Sequence, residues 1–159
     1  MAEIISVEKL TALSKSLKVE GKKIVLAGGC FDILHPGHVI FLEKAKEIGD
    51  ILIIFLESDQ KVKELKGKSR PVYKQQERAK VLSALRVVDY VVMLPYMKLE
   101  SEYDELVRRV NPQVIAVTSK DETFHHQRAA KFVGAKFQVV SEEVEDYSTS
   151  KIFKFLNEN

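Results

Sequence analysis

Several features that mark other classes of protein are scarce or missing in this sequence. It has a single cysteine and no tryptophan among its 159 residues, so no internal disulfide can form. It also lacks a charged-then-apolar leader and a long apolar run, which are the signs of a secretory signal and of a membrane span. These absences predict a protein of the reducing cytoplasm that does not enter a membrane.

The charge is nearly balanced. Lys and Arg number 25 against 23 Asp and Glu, which gives a formal net charge of +2. Without a global basic field, the composition does not favour sequence-independent nucleic-acid binding. We therefore expect small-molecule partners and no nucleic acid. The length suits one domain, expected over residues 1–159 with residues 1–20 as an N-terminal helical extension.

The most informative segment joins an apolar run to an amphipathic one. Ile24–Leu26 has the composition of a buried parallel strand, and after two glycines and a short polar stretch comes His35-Pro36-Gly37-His38. Pro36 suits the first turn of a helix, and Gly37 removes a side chain that would keep a ligand off the backbone. The two histidines, three positions apart, share one face of that turn. Free amides, the helix dipole and two imidazoles would then meet, which predicts a polyphosphate site.

Predicted strands and helices alternate along the chain. This pattern indicates an α/β fold with a parallel sheet covered on both faces. The predicted strands are 23–27, 51–57, 90–94, 113–117 and 137–140, and the predicted helices are 6–18, 37–48, 74–86, 101–110, 122–132 and 148–157. Residues 59–73 have no clear periodicity and are expected to form a functional loop.

Polar segments follow three of the predicted strands. They are residues 28–37, Ser58 with Asp59, and residues 118–121. In an open α/β sheet, ligands bind beyond the carboxyl ends of the strands, so these segments should converge. Asp32 and Asp59 could each hold Mg²⁺ or accept a hydrogen bond from a hydroxyl, and Asp59 could equally be a helix N-cap.

The segment around the two histidines resembles the HxGH signature of the cytidylyltransferase-like nucleotidyltransferases. Lys66–Val72 is similar to the basic loop of that superfamily, and Tyr147–Ile152 to its closing segment, and the three motifs occur in the right order. Over about residues 4–157 the chain looks most like the adenylyltransferase domain of bacterial ADP-heptose synthase. The resemblance implies a Rossmann-like, doubly wound sheet of five parallel strands.

The same resemblance implies a reaction and its participants. A nucleoside monophosphate, AMP from ATP in the favoured interpretation, would pass to a phosphorylated acceptor such as heptose 1-phosphate, with release of pyrophosphate. Mg²⁺ would be bound to the triphosphate, with few or no direct protein ligands. The implied catalytic residues are His35, His38, Lys66 and Lys68. The implied nucleotide-binding residues are Gly29, Cys30, Phe31, Gly37, Arg70, Ser119, Asp121, Tyr147, Ser148, Thr149 and Ser150, and the implied substrate-binding residues are Asp32, Asp59 and Arg78.

Two departures from the family pattern keep other functions open. Thr118–Glu122 stands where heptose adenylyltransferases usually read Lys-Gly-Gly-Asp-Tyr, and Glu145–Tyr147 lacks the arginine of glycerol-phosphate cytidylyltransferases. The alternatives are a cytidylyltransferase that uses CTP and glycerol 3-phosphate or a similar polyol phosphate, an FMN or pantetheine-phosphate adenylyltransferase, and a non-catalytic nucleotide-binding module. Cys30 could be a nucleophile in acyl transfer, although a small buried residue is the favoured interpretation.

An apolar segment early in the second half of the chain suggests self-association. Tyr90–Leu94, followed by Tyr96 and Met97, has the composition of a strand that could pack against a second copy. Exposed apolar surface of this kind is typical of subunit contacts. We therefore expect a homodimer.

Overall fold

A computed structural model of the chain describes residues 1–119, 124–141 and 149–158. The strands are β1 (Glu3–Ser6), β2 (Ile24–Gly29), β3 (Ile51–Leu56), β4 (Tyr90–Met93), β5 (Val114–Thr118) and β6 (Lys136–Ser141). The α-helices are α1 (Leu10–Val19), α2 (Pro36–Glu47), α3 (Asp59–Lys66), α4 (Gln75–Ser83), α5 (Glu100–Val110), α6 (Phe124–Val133) and α7 (Thr149–Glu158). In the described part of the chain, none of these helices has the length and apolarity needed to cross a lipid bilayer.

All strands join one parallel sheet in the order β1-β4-β3-β2-β5-β6. From β2 the chain first builds one side of the sheet, through β3 and β4, and then crosses to the other side at β5. The strand order therefore reverses next to β2. In doubly wound sheets a ligand crevice opens at this switch point, outside the carboxyl ends of the strands. Here that position lies between the ends of β2 and β5.

Two apolar layers cover the two faces of the sheet. Alternate residues of β2 point to opposite faces: Val25 and Ala27 pack with α2 and α4, whereas Leu26 packs with α1, α5 and α6. The central strands are consequently apolar throughout, and Leu52–Leu56 of β3 is buried at every position. This is the pattern of a parallel strand covered on both sides, and it confirms the predicted fold class.

The sheet has one strand more than the sequence predicted. β1 precedes the predicted 6–18 helix and shares only Ser6 with it, and α1 begins only after a 3-10 turn, Val7–Lys9. Only Ile5 of this four-residue strand is buried. The segment is therefore too short to show the alternation of apolar and polar residues by which a strand is recognised in a sequence. Pairing with β4, which sets Glu3 opposite Tyr90, determines its conformation.

The apolar segment that suggested a dimer is an interior strand. β4 lies between β1 and β3, and its Val91 and Val92 are fully buried within this one chain. Burial in the sheet thus explains the apolar composition of Tyr90–Leu94 without a second copy. The homodimer stays a prediction from sequence.

Part of the predicted loop 59–73 is helical. α3 is strongly polar and buries only Val62, so it shows little of the apolar periodicity that identifies a helix. Its N-cap is Ser58, whose hydroxyl accepts a hydrogen bond from the N–H of Lys61 at 3.2 Å. Of the two roles open to Asp59, the N-cap is therefore wrong, and the carboxylate is available for other partners.

Candidate active site

Two histidines meet where α2 begins. His35 is the N-cap with an extended backbone (φ −143°, ψ 167°), and Pro36 occupies the first turn. The N–H of His38 donates to the carbonyl oxygen of His35 at 2.9 Å. The two imidazoles are stacked, with ring centroids 3.8 Å apart and planes inclined by 27°. The structure thus brings together the two residues that the sequence placed on one face of this turn.

Each imidazole has a nitrogen without a partner. Nδ1 of His35 and Nδ1 of His38 are buried and form no hydrogen bond within the part of the chain that the structure describes. Buried polar atoms of this kind are rare and cost free energy. Burial lowers the pKa of both rings, and that of His38 falls to about 4 with the nearby His35 as a second cause. Both rings are therefore neutral at pH 7.

The start of α2 adds backbone donors to the two rings. The side chain of His35, the N-cap of this twelve-residue helix, makes no capping hydrogen bond to the described residues. The first N–H groups of a helix have no acceptor within it, and the helix dipole is positive at this end. Gly37, in the first turn, adds no side chain to block the approach. The N-terminus of α2 therefore suits an anion.

Phe31 supports His38 and depends on Gly29. The rings of Phe31 and His38 have centroids 5.2 Å apart. Phe31 is buried and has φ 43°, in the left-handed region that most residues avoid. A Cβ added at Gly29 would lie 2.9 Å from Cε2 of Phe31. Gly29 and Phe31, predicted to bind the nucleotide, thus shape the site through packing beneath the histidine.

Asp32 and Arg70 form a buried ion pair. They are 3% and 5% exposed, and the Arg70 guanidinium donates from Nε to the Asp32 carboxylate. The same carboxylate accepts hydrogen bonds from the backbone N–H groups of Val72 at 2.7 Å and Tyr73 at 3.2 Å. Asp32 thus anchors the basic segment to the loop after β2. The predicted contacts of Asp32 with substrate and of Arg70 with nucleotide stay predictions.

Arg78 braces the strand ends. It is 1% exposed, and its guanidinium donates to the carbonyl oxygens of Cys30, Glu57 (2.9 Å) and Tyr73 (3.0 Å) and to the Asp59 carboxylate (2.8 Å). These protein acceptors engage all three guanidinium nitrogens. Arg78 therefore holds the ends of β2 and β3 together, and its predicted contact with substrate stays a prediction. Asp59 keeps its side chain 38% exposed and remains open to a ligand.

Two exposed lysines flank Gly67 after α3. Lys66 ends the helix, Gly67 takes φ 102°, and Lys68 follows. The Lys66 ammonium is near enough to Cys30 to lower the pKa of the thiol, but burial has the larger effect and raises that pKa overall. A thiol with a raised pKa is a poor nucleophile at neutral pH. The raised pKa thus disfavours acyl transfer through Cys30.

The closing segment reaches the first loop. Thr149 is the first residue of α7. Its hydroxyl donates a hydrogen bond to the carbonyl oxygen of Ile33 at 3.1 Å, although the two residues are 116 positions apart. Ser150 follows and is exposed. The structure therefore joins the first and third motifs that the sequence singled out.

The other predicted nucleotide contacts lie partly outside the described residues. Ser119 directly follows β5, next to the switch point, and is exposed. Asp121, Tyr147 and Ser148 fall in the ranges that the structure does not describe. Their predicted roles stay predictions.

Sequence reasoning missed two polar links close to the site. The Gln75 amide donates to the carbonyl oxygens of Leu56 (3.0 Å) and Leu94 (2.8 Å), and so ties the end of β3 to the end of β4. Glu57 accepts a hydrogen bond from the Tyr103 hydroxyl at 2.9 Å. These partners are 19 and 46 positions apart, so no local pattern reports them.

The described residues do not present a metal site. Among residues 1–119, 124–141 and 149–158, no three acidic, histidine or cysteine side chains are grouped as metal ligands. The Asp32 carboxylate is occupied by Arg70 and backbone donors, and Asp59 is paired with Arg78. The two carboxylates considered as Mg²⁺ ligands therefore do not fit that role in this arrangement.

Known proteins share both the sequence and the fold. The sequence model of the family described as cytidylyltransferase-like matches residues 26–155. The bifunctional protein HldE of Wolinella succinogenes is 47% identical over 112 residues, which cover 70% of this chain and 23% of that protein. The protein of the same name from Helicobacter hepaticus is 40% identical over 153 residues, which cover 96% of this chain and 30% of that protein. The chain spans about a quarter of the length of these curated relatives.

Two solved structures have similar folds. A lipopolysaccharide core biosynthesis protein from Thermoplasma volcanium has a TM-score of 0.62 and 25% identity, with 77% of this chain and 97% of that chain covered. A pantoate-beta-alanine ligase from Francisella tularensis has a TM-score of 0.65 and 15% identity, with 99% of this chain and 77% of that chain covered. The second likeness concerns the fold alone.

Proposed function

We propose, from the premise that this chain belongs to the cytidylyltransferase-like family, that it transfers AMP from ATP to a sugar 1-phosphate and releases pyrophosphate. Heptose 1-phosphate is the leading acceptor. One observation carries the proposal: two stacked imidazoles lie at the start of α2, and the Nδ1 atom of each is buried with no hydrogen-bond partner among the described residues. These rings have unused hydrogen-bonding capacity at the end of a helix that favours anions.

The reaction needs stabilisation of charge more than covalent help from the protein. An oxygen of the acceptor phosphate attacks the α-phosphorus of ATP. A new P–O bond forms, and the bond from that phosphorus to the oxygen bridging to the β-phosphate breaks. Negative charge then accumulates on the departing pyrophosphate. N–H groups of His35, His38 and the first turn of α2 would donate to these oxygens, and donors placed where charge develops lower the barrier.

The exposed lysines would act on the same charge. Lys66 and Lys68 flank Gly67 at the end of α3, and the Asp32–Arg70 ion pair ties the following segment to the loop that leads to the histidines. This connection supports the proposal that the two ammonium groups act on the triphosphate. Because Asp32 and Asp59 are engaged with arginines, Mg²⁺ would arrive with the triphosphate as part of the substrate.

The choice of ATP and a sugar acceptor rests on similarity. The chain resembles the adenylyltransferase domain of ADP-heptose synthase, and a neighbour in fold is named as a lipopolysaccharide core biosynthesis protein. CTP with a polyol phosphate is the second candidate, since the matching family is described as cytidylyltransferase-like. The proposed phosphate contacts would serve either nucleotide.

Pyrophosphate release tests the proposal directly. The protein is incubated with Mg²⁺, one of ATP, CTP, GTP or UTP, and one of heptose 1-phosphate, mannose 1-phosphate, glycerol 3-phosphate, FMN or phosphopantetheine. We expect release with ATP and heptose 1-phosphate, and none from a preparation of the His35→Ala, His38→Ala double variant. Release only with CTP and glycerol 3-phosphate would replace the proposed specificity. The absence of release from every combination would overturn the proposed reaction.

A further inference from the structure

A glutamate at the end of β3 is held beside the histidine-bearing loop. Glu57 directly follows β3, and its N–H donates to the carbonyl oxygen of Gly29 at 3.1 Å. Its own carbonyl oxygen accepts a hydrogen bond from Arg78 at 2.9 Å, and the same guanidinium bonds the carbonyl of Cys30. The backbone of Glu57 is therefore locked next to the residues that lead into the phosphate site.

Side chains from two helices position the carboxylate. The hydroxyl of Tyr103, on α5, donates a hydrogen bond to Oε2 of Glu57 at 2.9 Å. Nζ of Lys61, on α3, lies 5.8 Å from the centroid of the Tyr103 ring and donates to the carbonyl oxygen of Met97 at 3.2 Å. Glu57, Tyr103 and Lys61 thus form one cluster, which we name the Glu57 cluster.

The Glu57 cluster retains an unused acceptor. Glu57 is half-buried, and in the described part of the chain Oε1 receives no hydrogen bond, whereas Oε2 receives one from Tyr103. Oε1 is also not fully buried. The pKa of this carboxyl is raised, because burial outweighs the hydrogen bond from Tyr103 and the charges of Lys61 and Arg78, which lower it. A carboxylate oxygen is therefore available to a donor at the edge of the site.

The surroundings decide which chemical group fits. A carboxylate repels phosphate, so the phosphate of an acceptor belongs with the lysines and histidines and away from Glu57. The Lys61 ammonium already lies over the Tyr103 ring, so a cationic group on the acceptor would meet like charge. A neutral hydroxyl is repelled neither by the Glu57 carboxylate nor by the Lys61 ammonium. Its hydrogen bond to Glu57 is strong because the acceptor atom is ionised.

We propose that Glu57, oriented by Tyr103, accepts a hydrogen bond from a hydroxyl group of the phosphorylated acceptor and so selects hydroxyl-rich acceptors. The inference rests on the proposed function and names one specificity-determining residue within it. Glu57 touches the acceptor; Tyr103 acts through Glu57 as a positioning residue.

The test compares matched variants on matched acceptors. Glu57→Gln removes the charge with little change of shape, and Glu105→Gln does the same on the surface of α5. Tyr103→Phe removes the hydroxyl that bonds Glu57, and Tyr96→Phe removes a comparable hydroxyl that bonds Glu64 at 2.6 Å. For each protein, kcat and KM are measured for ATP and for heptose 1-phosphate, mannose 1-phosphate and their monodeoxy analogues.

We expect Glu57→Gln to raise KM for the full acceptor by about 10-fold, and Tyr103→Phe by a smaller factor, since one charge-assisted hydrogen bond is lost or misoriented. KM for ATP should stay within about twofold in both, and the two control variants should behave as the wild type. For one monodeoxy analogue, wild type and Glu57→Gln should give the same KM, because the hydroxyl that Glu57 binds is then missing.

The outcomes separate this inference from the reaction itself. Undiminished acceptor affinity in Glu57→Gln, or an equal rise of KM for ATP and for every acceptor, would overturn the role of Glu57 while the transferase reaction stands. Wild-type protein that releases no pyrophosphate from any pair would overturn the reaction first. A lower melting temperature in Glu57→Gln with unchanged acceptor discrimination would assign Glu57 to stability alone and so overturn the inference.

Discussion

The Asp32 carboxylate and the Arg70 guanidinium form an ion pair in the protein interior, although 38 positions separate the two residues in the sequence. Asp32 belongs to the loop between β2 and the histidines, and Arg70 belongs to the basic segment after α3. Neither residue is more than 5% exposed. The pair therefore connects the two segments that carry the proposed phosphate contacts, and it joins the stability of the fold to the shape of the site.

Breaking this pair should strongly destabilise the protein. Asp32→Asn removes one partner of a buried ion pair, which typically costs about 3–5 kcal/mol of unfolding free energy. The measurement is urea unfolding of wild type and variant. Glu105→Gln, which removes a solvent-exposed partner of Arg108 and Arg109, is the control and should cost less than about 1 kcal/mol. Similar losses in the two variants would show that the buried pair has no special role.

The two adjacent glycines of β2 should respond differently to alanine. At Gly29 a new Cβ would lie 2.9 Å from the Phe31 ring, whereas at Gly28 the nearest atoms would be 3.7 Å away. Overpacking of this kind costs about 1–3 kcal/mol, and a displaced Phe31 would no longer support His38. We expect Gly29→Ala to lower both the melting temperature and the turnover, and Gly28→Ala to retain both. Equal behaviour of the two variants would count against the packing role of Phe31.

Removal of the second histidine should affect chemistry more than folding. His38→Ala deletes a donor proposed to stabilise the leaving pyrophosphate, and loss of one such donor costs about 10²–10³ in turnover. Pyrophosphate release under saturating substrates measures the effect, and thermal unfolding checks that the variant is folded. Full turnover in a folded His38→Ala protein would remove this residue from the proposed site.

Acidification should destabilise the folded protein through His38. Its pKa is about 4 in the folded protein, against an ordinary value of 6.5. Between these values the unfolded chain binds more protons, so the unfolding free energy falls as the pH falls, by at most about 1.4 kcal/mol per pH unit for one proton. Urea unfolding from about pH 6.5 to 4 should therefore give a shallower slope for His38→Gln than for wild type.

The comparison between the two proteins isolates the histidine. Burial raises the pKa of Glu57, so that group contributes in the opposite direction: its contribution to stability is lost as the pH rises through the raised pKa. Glu57 is the same in both proteins, and its contribution cancels in the difference. Identical slopes for wild type and His38→Gln would contradict the lowered pKa of His38.

The lysines after α3 should contribute to nucleotide affinity. Lys66→Ala or Lys68→Ala removes a cation from the proposed triphosphate contact and should raise KM for the triphosphate by about 10-fold, the lower end expected for a charged hydrogen bond because both side chains are exposed. Lys63→Ala, another exposed lysine of α3, is the matched control and should leave KM unchanged. If all three variants matched the wild type, residues 66–68 would be a surface segment without a part in binding.

The sequence predicted the fold class and most of its elements. The central strands are continuous apolar runs because both faces of the sheet are covered, and this pattern is visible in residues 51–56 alone. The local sequence also determines the conformation of the segment from His35 to His38, because Pro36 favours the first turn of a helix and two residues separate the histidines. The family membership that this segment implied is confirmed by the match over residues 26–155.

The sequence failed where the conformation depends on distant partners. β1 exists because β4 offers a free edge to pair with, and α3 is too polar to show an apolar face. Arg78 could be recognised as an important arginine, but only the folded chain shows that its donors are taken by the ends of β2 and β3.

The sequence by itself determined the alternation of strands and helices and the chemistry at the start of α2, because both are specified by residues within a few positions of one another. Only the tertiary structure decided which charged residues form the frame and which remain available to a ligand. Asp32, Arg70 and Arg78 bond partners that lie 19 to 48 positions away in the sequence. Buried polar groups are stable when they bond one another, and among the described residues the Nδ1 atoms of the two imidazoles have no such partner.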